Sequence, residues 1–416
     1  MKDAVAKRLF FRLLNSLNEG FLELVCPEDT YGFGKPGSDL RAMLVVHDER
    51  FFRRALLGSD VGMGEAFMNG DWSSPDLVAL VRLAVRNLGA MESSNKLFSA
   101  ISAVADTIAH RLRGNSMAGS RRNISYHYDL GNEFYRLFLD PTMAYSCAYF
   151  QSAEDSLEQA QRNKFERICR KLELKPSDQL LEIGTGWGGF AAYAASRYGC
   201  RITTTTISRQ QHDYAKALFD SMGETGERIT LLQEDYRNLR GQFDKIVSIE
   251  MFEAVGLRYY DTYFGACDQL LKPEGSMVLQ TITMNEQKFP VYRKRCDWIQ
   301  KYIFPGSELA SVAEILKSTG RCTRLSFFHA EDIGLHYAET LKLWRERFLL
   351  HRDEVKSQGF DERFLRMWEY YLAYCEGAFR ERHIGDVQLV LTKQRAGVQL
   401  GSCDQYAVPA SVRSGT

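Results

Sequence analysis

Between Gln179 and Thr283 the chain alternates short, almost continuously apolar segments with helical ones, and this alternation constrains the fold more than any other feature. The apolar segments are "QLLEIG", "CRITTTTI", "ITLLQ", "FDKIVSIE" and, after the turn "KPEG", "MVLQTIT". Helical patterns start at Trp187, at Arg209 and at about Arg258. Strands that are apolar throughout are buried on both faces, and helices between them supply the cover, so the pattern predicts a mostly parallel sheet in an α/β fold of the Rossmann-like kind. Upstream, "SLEQAQRNKFERICRKLEL" reads as an amphipathic helix ending before the turn "KPSD". Downstream, the helix "FLRMWEYYLAYCEGAFRER" precedes a last strand, "DVQLVLTK".

The remainder is organised around this core. Residues 1–115 mix strand-like pieces ("GFLEL", "AMLVV") with a helical one ("DLVALVRLAVRNLG") and read as a smaller mixed α/β domain. A second domain spans 121–395, and the aperiodic tail 396–416 reads as disordered. There are no internal repeats. At 416 residues the chain can bury more than one core.

The glycines of "LLEIGTGWGGF" fall where the first strand of the sheet turns into a helix. Gly184, Gly186 and Gly189 satisfy GxGxxG, which admits a dinucleotide site: the backbone can bend sharply and meet a ligand with free N–H groups. Two features weigh against NAD. Glu182 precedes the first glycine, and the second strand ends in "TTTTIS" without the acid that binds a ribose. Ser208 and Gln211 there form an S-x-x-Q capping box, which capping alone explains. The third strand ends in "EDYRNL", whose Asp235 and Tyr236 suit an adenine. The set resembles that of S-adenosylmethionine-dependent methyltransferases of the Rossmann-like class.

Composition narrows the partners. Formal net charge is zero, so no overall field argues for nucleic acid. Basic stretches are local: Lys2, Lys7, Arg8 and Arg12 against Asp3, and "RLRGNSMAGSRR" (111–122), which suit anionic headgroups or merely a solvated face. The nine cysteines are scattered without CxxC pairs, which argues against zinc and against a disulfide framework and suits a reducing cytoplasm. No metal ligand spacing occurs. No run approaches the ~20 apolar residues of a membrane span. In "MKDAVAKRLFFRLLNSL", Val5, Leu9, Leu13 and Leu17 recur at helical spacing, which allows a helix on a membrane or one packed on its own domain.

With the glycine turn in hand, the stretch "NISYHYDLGNEFYRLFLDPTMAYSCAYF" becomes informative. Together with "LEIGTGWGG", "TTISRQQ", "EDYRNL", "EMFEAVG", "YIFPGSEL", "GLHYAETL" and "YYLAYCEGAFR", it resembles the cyclopropane fatty acid synthase family from about Asn123 to Lys393. "GEAFMNGDW" is similar to the N-terminal domain of the phospholipid-acting members. The resemblance implies a class I methyltransferase fold and transfer of a methylene group from S-adenosylmethionine to the double bond of an unsaturated phospholipid acyl chain. A methylated or methyl-branched product is the alternative. Methylation of a soluble amine and a lipid-binding protein with a dead methyltransferase domain are further readings, opposed by the N-terminal domain and the intact motifs. It also implies a homodimer working at the membrane surface from the cytoplasm.

By the same resemblance, Tyr145 and Ser146 meet the methionine part of the cofactor. Glu182 precedes its loop, and Gly184 and Gly186 pass beneath it. Thr206 and Gln211 serve the ribose, and Asp235 and Tyr236 the adenine. A bicarbonate ion held by Cys147, Glu253, the backbone of Ile282, Tyr337 and Gln280 is the implied base. Gln280 replaces a common histidine and cannot titrate, although its amide can donate to an oxyanion. Thr185 and Thr204 are two further departures from the family pattern.

The chemistry explains why such groups would gather. An alkene is an uncharged, weak nucleophile, so positioning must supply much of the acceleration. Its methylation leaves a carbocation, which aromatic faces can stabilise. Tyr126, Tyr128, Phe134, Tyr145, Tyr149 and Tyr302 are candidates, or ordinary core. A small base in a dry pocket must then take a proton. Cys147 could equally be an inert buried thiol, His127 and Asp129 could simply cap a helix, and Glu250, on the same segment as Glu253, could exchange roles with it.

Overall fold

The computed structural model describes residues 3–94 and 130–393, which form two compact units. The first takes 3–94 together with Gln287–Pro305 and Leu341–Ile384; the second takes 130–286, Gly306–Thr340 and 385–393. The sequence boundary at 115 and 121 therefore follows the chain, whereas the units draw on several stretches each. The basic stretch 111–122, Tyr126, His127, Tyr128, Asp129 and the tail lie outside the described residues.

In the first unit a four-stranded mixed sheet has the order β2-β1-β3-β4, formed by β1 (Phe21–Val25), β2 (Thr30–Gly34), β3 (Arg41–Val46) and β4 (Trp72–Ser73). β1 runs antiparallel to β2 and parallel to β3. β1 and β3 alternate buried with partly exposed residues, as a sheet with one covered face requires. The cover is aromatic: Phe10 meets Phe51 and Phe52, and Phe67 meets Trp72 and Tyr370. Helix Asp3–Leu14 packs Ala6, Phe10 and Leu14 inward, while Val5 is 49% exposed. The buried stripe thus sits one residue beyond the Val5–Leu9–Leu13 row, while Leu17 is itself buried and Phe11 packs on Tyr31 and Phe33.

In the second unit a seven-stranded sheet has the order β10-β11-β9-β8-β5-β6-β7. Its strands are β5 (Gln179–Ile183), β6 (Arg201–Thr205), β7 (Ile229–Leu232), β8 (Phe243–Ile249), β9 (Leu271–Met284), β10 (Leu325–Asp332) and β11 (Ile384–Lys393). The pairings among β5 to β9 are parallel, and β10 with β11 is antiparallel. Neighbouring residues of the central strands enter opposite cores. Leu181, Ile246, Met277, Leu279 and Leu389 join one cluster; Leu180, Val247, Val278 and Val390 join the other. This two-faced burial is the reason for the continuous apolar runs.

The turn "KPEG" lies inside β9. The ladder jumps from Phe243 opposite Leu271 to Lys245 opposite Ser276, so the four residues between form an excursion within one strand.

Candidate active site

The parallel strands end at one edge of the sheet, and the loops leaving those ends carry most of the candidate residues. β5 leads into Gly184, Gly186 and Gly188, whose φ values of 105°, 54° and 92° are in the left-handed region that glycine adopts without strain. They are not equivalent. A Cβ at Gly186 would meet no heavy atom within 4 Å, and one at Gly184 would meet only the Met251 side chain. At Gly188 it would lie 2.9 Å from the Phe219 ring, and at Gly189 2.4 Å from the Thr142 carbonyl oxygen. The first two glycines leave a clear floor where a ligand can approach the backbone; the last two let the following helix pack.

Three hydrogen-bonded arrangements surround this floor. Thr204 donates to Glu182 at 2.6 Å, and Thr185 lies 2.7 Å from Thr204, so the two departures from the family pattern form one buried chain. Burial pushes the Glu182 carboxyl up to about 8. The Thr206 hydroxyl donates to the Gln211 side chain at 3.0 Å, and Ser208 caps the helix they flank. Asp235 accepts from the Arg237 guanidinium at 2.7 and 2.6 Å, and Tyr236 packs edge-on against Tyr263. Arg237 was not among the candidates, although its place two residues after Asp235 is where a turn residue can fold back on a capping acid.

Tyr145 and Ser146 lead from this floor to a second cluster. Tyr145 stands 5.4 Å from Tyr135, which is 4.9 Å from Trp187 of the glycine loop. Ser146 accepts a hydrogen bond of 2.6 Å from Lys164, a lysine with no exposed surface. Lys164 interacts electrostatically with Glu250 and Asp386, and burial lowers its pKa.

That second cluster brings together Cys147, Glu250, Glu253, Gln280, Ile282, Tyr337 and Asp386. Glu250 Oε1 accepts from the Cys147 backbone N–H at 2.7 Å and from the Gln280 amide at 2.8 Å. Its Oε2 accepts from the Tyr337 hydroxyl at 2.7 Å. Glu253 Oε1 accepts from the Ile282 backbone N–H at 2.5 Å and from Thr281 at 3.0 Å, while its buried Oε2 has no hydrogen-bond partner. Burial and the neighbouring Glu250 push Glu253 up to about 8. The Cys147 thiol is raised well above its ordinary range by burial, which removes it as a nucleophile.

Gln280 has a fixed orientation. Its amide group also donates to Asp386 at 3.0 Å, and its carbonyl oxygen accepts from Gln388 at 3.0 Å. Gln388 in turn accepts from Lys171 at 2.6 Å, and Lys171 pairs with Glu331 at 2.7 Å. Asp386, Gln388 and Lys171 went unnoticed in the sequence. The signal was two polar residues two apart in "DVQLVL", which puts both on one face of an otherwise apolar strand.

Of the aromatic candidates, Phe134 is fully buried, Tyr149 packs on His336 at 4.4 Å, and Tyr302 donates to Glu65 in the first unit. Tyr145, two residues before Cys147, is partly exposed and packs against Tyr135 and Phe138.

A doubly wound sheet with an open glycine floor at β5 and acid-bearing ends on β5 and beyond β7 defines a class I S-adenosylmethionine-dependent methyltransferase. The family model for mycolic acid cyclopropane synthetase matches residues 115–389, and the chain belongs to that family. It is 37% identical over 398 residues to the tuberculostearic acid methyltransferase UfaA1 of Mycobacterium tuberculosis, covering 94% of this chain and 91% of that protein. It is 38% identical over 371 residues to the cyclopropane-fatty-acyl-phospholipid synthase of Escherichia coli, covering 88% and 90%. Among solved structures, the mycolic acid cyclopropane synthase CmaA1 bound to SAH and CTAB superposes with a TM-score of 0.62 at 30% identity, covering 66% of this chain and 98% of that one.

Proposed function

We propose that this methyltransferase adds a methylene group across the double bond of an unsaturated phospholipid acyl chain, giving a cyclopropane fatty acid. The observation that carries the reading is the convergence of Cys147, Glu250, Glu253, Gln280 and Tyr337 in one cluster, beside which Met251, the residue after Glu250, stands 3.0 Å from where a Cβ at Gly184 of the glycine loop would lie. S-adenosylmethionine supplies an electrophilic methyl group, and the open floor at Gly184 and Gly186 with Thr206, Gln211, Asp235 and Tyr236 around it suits its nucleoside. Tyr145 presents an aromatic face that can stabilise positive charge on an alkene carbon. The surrounding acids lie where water has little access, which strengthens their effect on that charge.

Bicarbonate fits this cluster poorly. Cys147 N–H, Gln280 and Tyr337 already donate to Glu250, so the donors a further anion needs are taken by a carboxylate of the chain, and no step is assigned to it.

A methylated fatty acid without a ring is the second reading, supported by the similarity to the tuberculostearic acid methyltransferase over 94% of the chain. Among the described residues no helix is long and apolar enough to cross a membrane. In this reading the protein meets phospholipid at the membrane surface from the cytoplasmic side, with two copies acting as a homodimer.

The test is incubation with vesicles of an unsaturated phosphatidylethanolamine and methyl-labelled S-adenosylmethionine, followed by mass spectrometry before and after hydrogenation. A labelled product heavier than its substrate by one methylene group that takes up no hydrogen is the expected ring, whereas one heavier by a methylene and two further hydrogens is a saturated methyl branch. A product that takes up hydrogen as an alkene selects the second reading, and label in the headgroup amine excludes both.

A further inference from the structure

The acid cluster contains its own occupant for the place where an anion would be held. Glu250 lies directly after β8 with φ 47°, a left-handed conformation that a non-glycine residue holds at a penalty of about 1 kcal/mol. Its backbone N–H donates to the Gln280 carbonyl at 2.8 Å, which fixes this conformation against β9. The bend sends the carboxylate to the Cys147 N–H, the Gln280 amide and the Tyr337 hydroxyl. These are three of the groups that the family resemblance assigns to a bound base. Unlike Cys147, Gln280 and Asp386, which are fully buried, Glu250 retains some accessible surface.

The neighbours decide where charge resides. Asp386 shares the Gln280 amide with Glu250, and its Oδ1 has no hydrogen-bond partner. Two carboxyls in such proximity do not both ionise readily. Burial raises both carboxyls, but Glu250 has three donors to offset it, so Asp386 is the one held further above its ordinary range and Glu250 is the one of the pair that ionises first. Burial and the Glu250 charge are what hold Asp386 there. Lys164 supplies the opposing charge.

We propose that Glu250 takes the place of a dissociable anion and is the proton acceptor of the reaction. The inference rests on the alkene-methylation reading above. In the step concerned, one C–H bond of the newly added methyl group breaks, and its electron pair forms the bond that closes the ring onto the cationic carbon. The proton passes to a Glu250 carboxylate oxygen, leaving a neutral acid beside Asp386. If a hydride first shifts from the methyl-bearing carbon to the cationic carbon, the charge moves next to the methyl group; loss of a methyl proton to the same oxygen, its electron pair forming the double bond, then gives the unsaturated methylene product of the second reading.

Wild type, two variants and two buffers test this on the full chain. Wild type is assayed with unsaturated phospholipid vesicles in carbon-dioxide-free buffer and with added bicarbonate; Glu250→Gln and Glu250→Gly are assayed likewise. The expected results are equal wild-type rates in both buffers and a loss of about 10²-fold or more in Glu250→Gln with cofactor binding retained by calorimetry. Glu250→Gly, whose backbone conformation suits glycine, regains activity several-fold with bicarbonate. A wild-type rate that collapses on depletion and returns with bicarbonate overturns the proposal, as does a fully active Glu250→Gln. Binding of ¹³C-bicarbonate, followed by NMR, gives a readout independent of turnover. Binding to Glu250→Gly but not to wild type supports the proposal, and binding to wild type overturns it. If wild type makes no lipid product in either buffer, the alkene-methylation reading fails, and the ¹³C arm still decides whether Glu250 fills the site.

Discussion

Glu250 and Glu253 are three residues apart, yet their surroundings give them different protonation states. Glu253 is held at about 8 by burial and by the charge on Glu250, so at pH 7 it is mostly a neutral acid that accepts from Ile282 and Thr281. A glutamine can accept the same two hydrogen bonds. Glu253→Gln should therefore retain cofactor affinity and keep activity at pH 7 within about tenfold of wild type, a much smaller loss than for a removed general base. The two enzymes should diverge above pH 8. There wild type acquires a second negative charge beside the developing cation and its rate rises, whereas the variant stays flat; parallel pH–rate profiles would refute this. The sequence shows both acids in "IEMFE" but not which one meets Cys147, Gln280 and Tyr337, because that depends on one left-handed residue, Glu250. No local propensity in the motif announces a positive φ at a glutamate.

At the scale of elements, the parallel strands β5 to β8 are legible because burial on both faces forces apolar residues into every position. β10 is not legible: after Leu325 its residues are exposed or only partly buried, so no alternation or apolar run marks it. β11 is visible as a strand, but the importance of its polar residues is not. Asp386 and Gln388 are fully buried there, and Gln388 turns the Gln280 amide so that its N–H groups face Glu250 and Asp386. Replacing Gln388 by leucine removes that donor and leaves the Gln280 carbonyl and the Lys171 ammonium short of a partner. Activity should fall about tenfold or more, and the side-chain amide resonance of Gln280 in ¹⁵N NMR should shift; an unchanged resonance would exclude the orienting role. The glycine loop divides in the same way. Gly189→Ala sets a methyl against the Thr142 carbonyl oxygen and should destabilise the fold by about 1–3 kcal/mol in denaturant titrations. Gly186→Ala has open space and should lose only about 1 kcal/mol for its positive φ, while weakening cofactor binding.

For the molecule as a whole, the acids with raised pKa values make function and stability pull in opposite directions as pH rises. Glu182 is the cleanest case, being 2% exposed and joined to Thr204 in the sheet rather than to the Glu250 cluster. Its folded pKa, about 8, lies above its value of 4.5 in an unfolded chain, so the folded state holds a proton that the unfolded state has released between those values. Stability from this group is fully present below about pH 4.5 and is lost progressively as pH rises to about 8, levelling off beyond. Each unit is worth about 1.4 kcal/mol, which sets an upper bound of about 5 kcal/mol across the window. Acids with lowered pKa values, such as Glu331 beside Arg167 and Lys171, tilt the total the other way, so the wild-type curve alone cannot isolate the effect. A difference between two curves can. Glu182→Gln keeps an acceptor for Thr204 but no titrating group, and its stability should decline less than wild type between pH 5 and 8, by several kcal/mol. Measured by urea titration at each pH without cofactor, superimposable pH dependences would mean that Glu182 is ionised in the folded protein and that burial between β5 and β6 does not hold its proton.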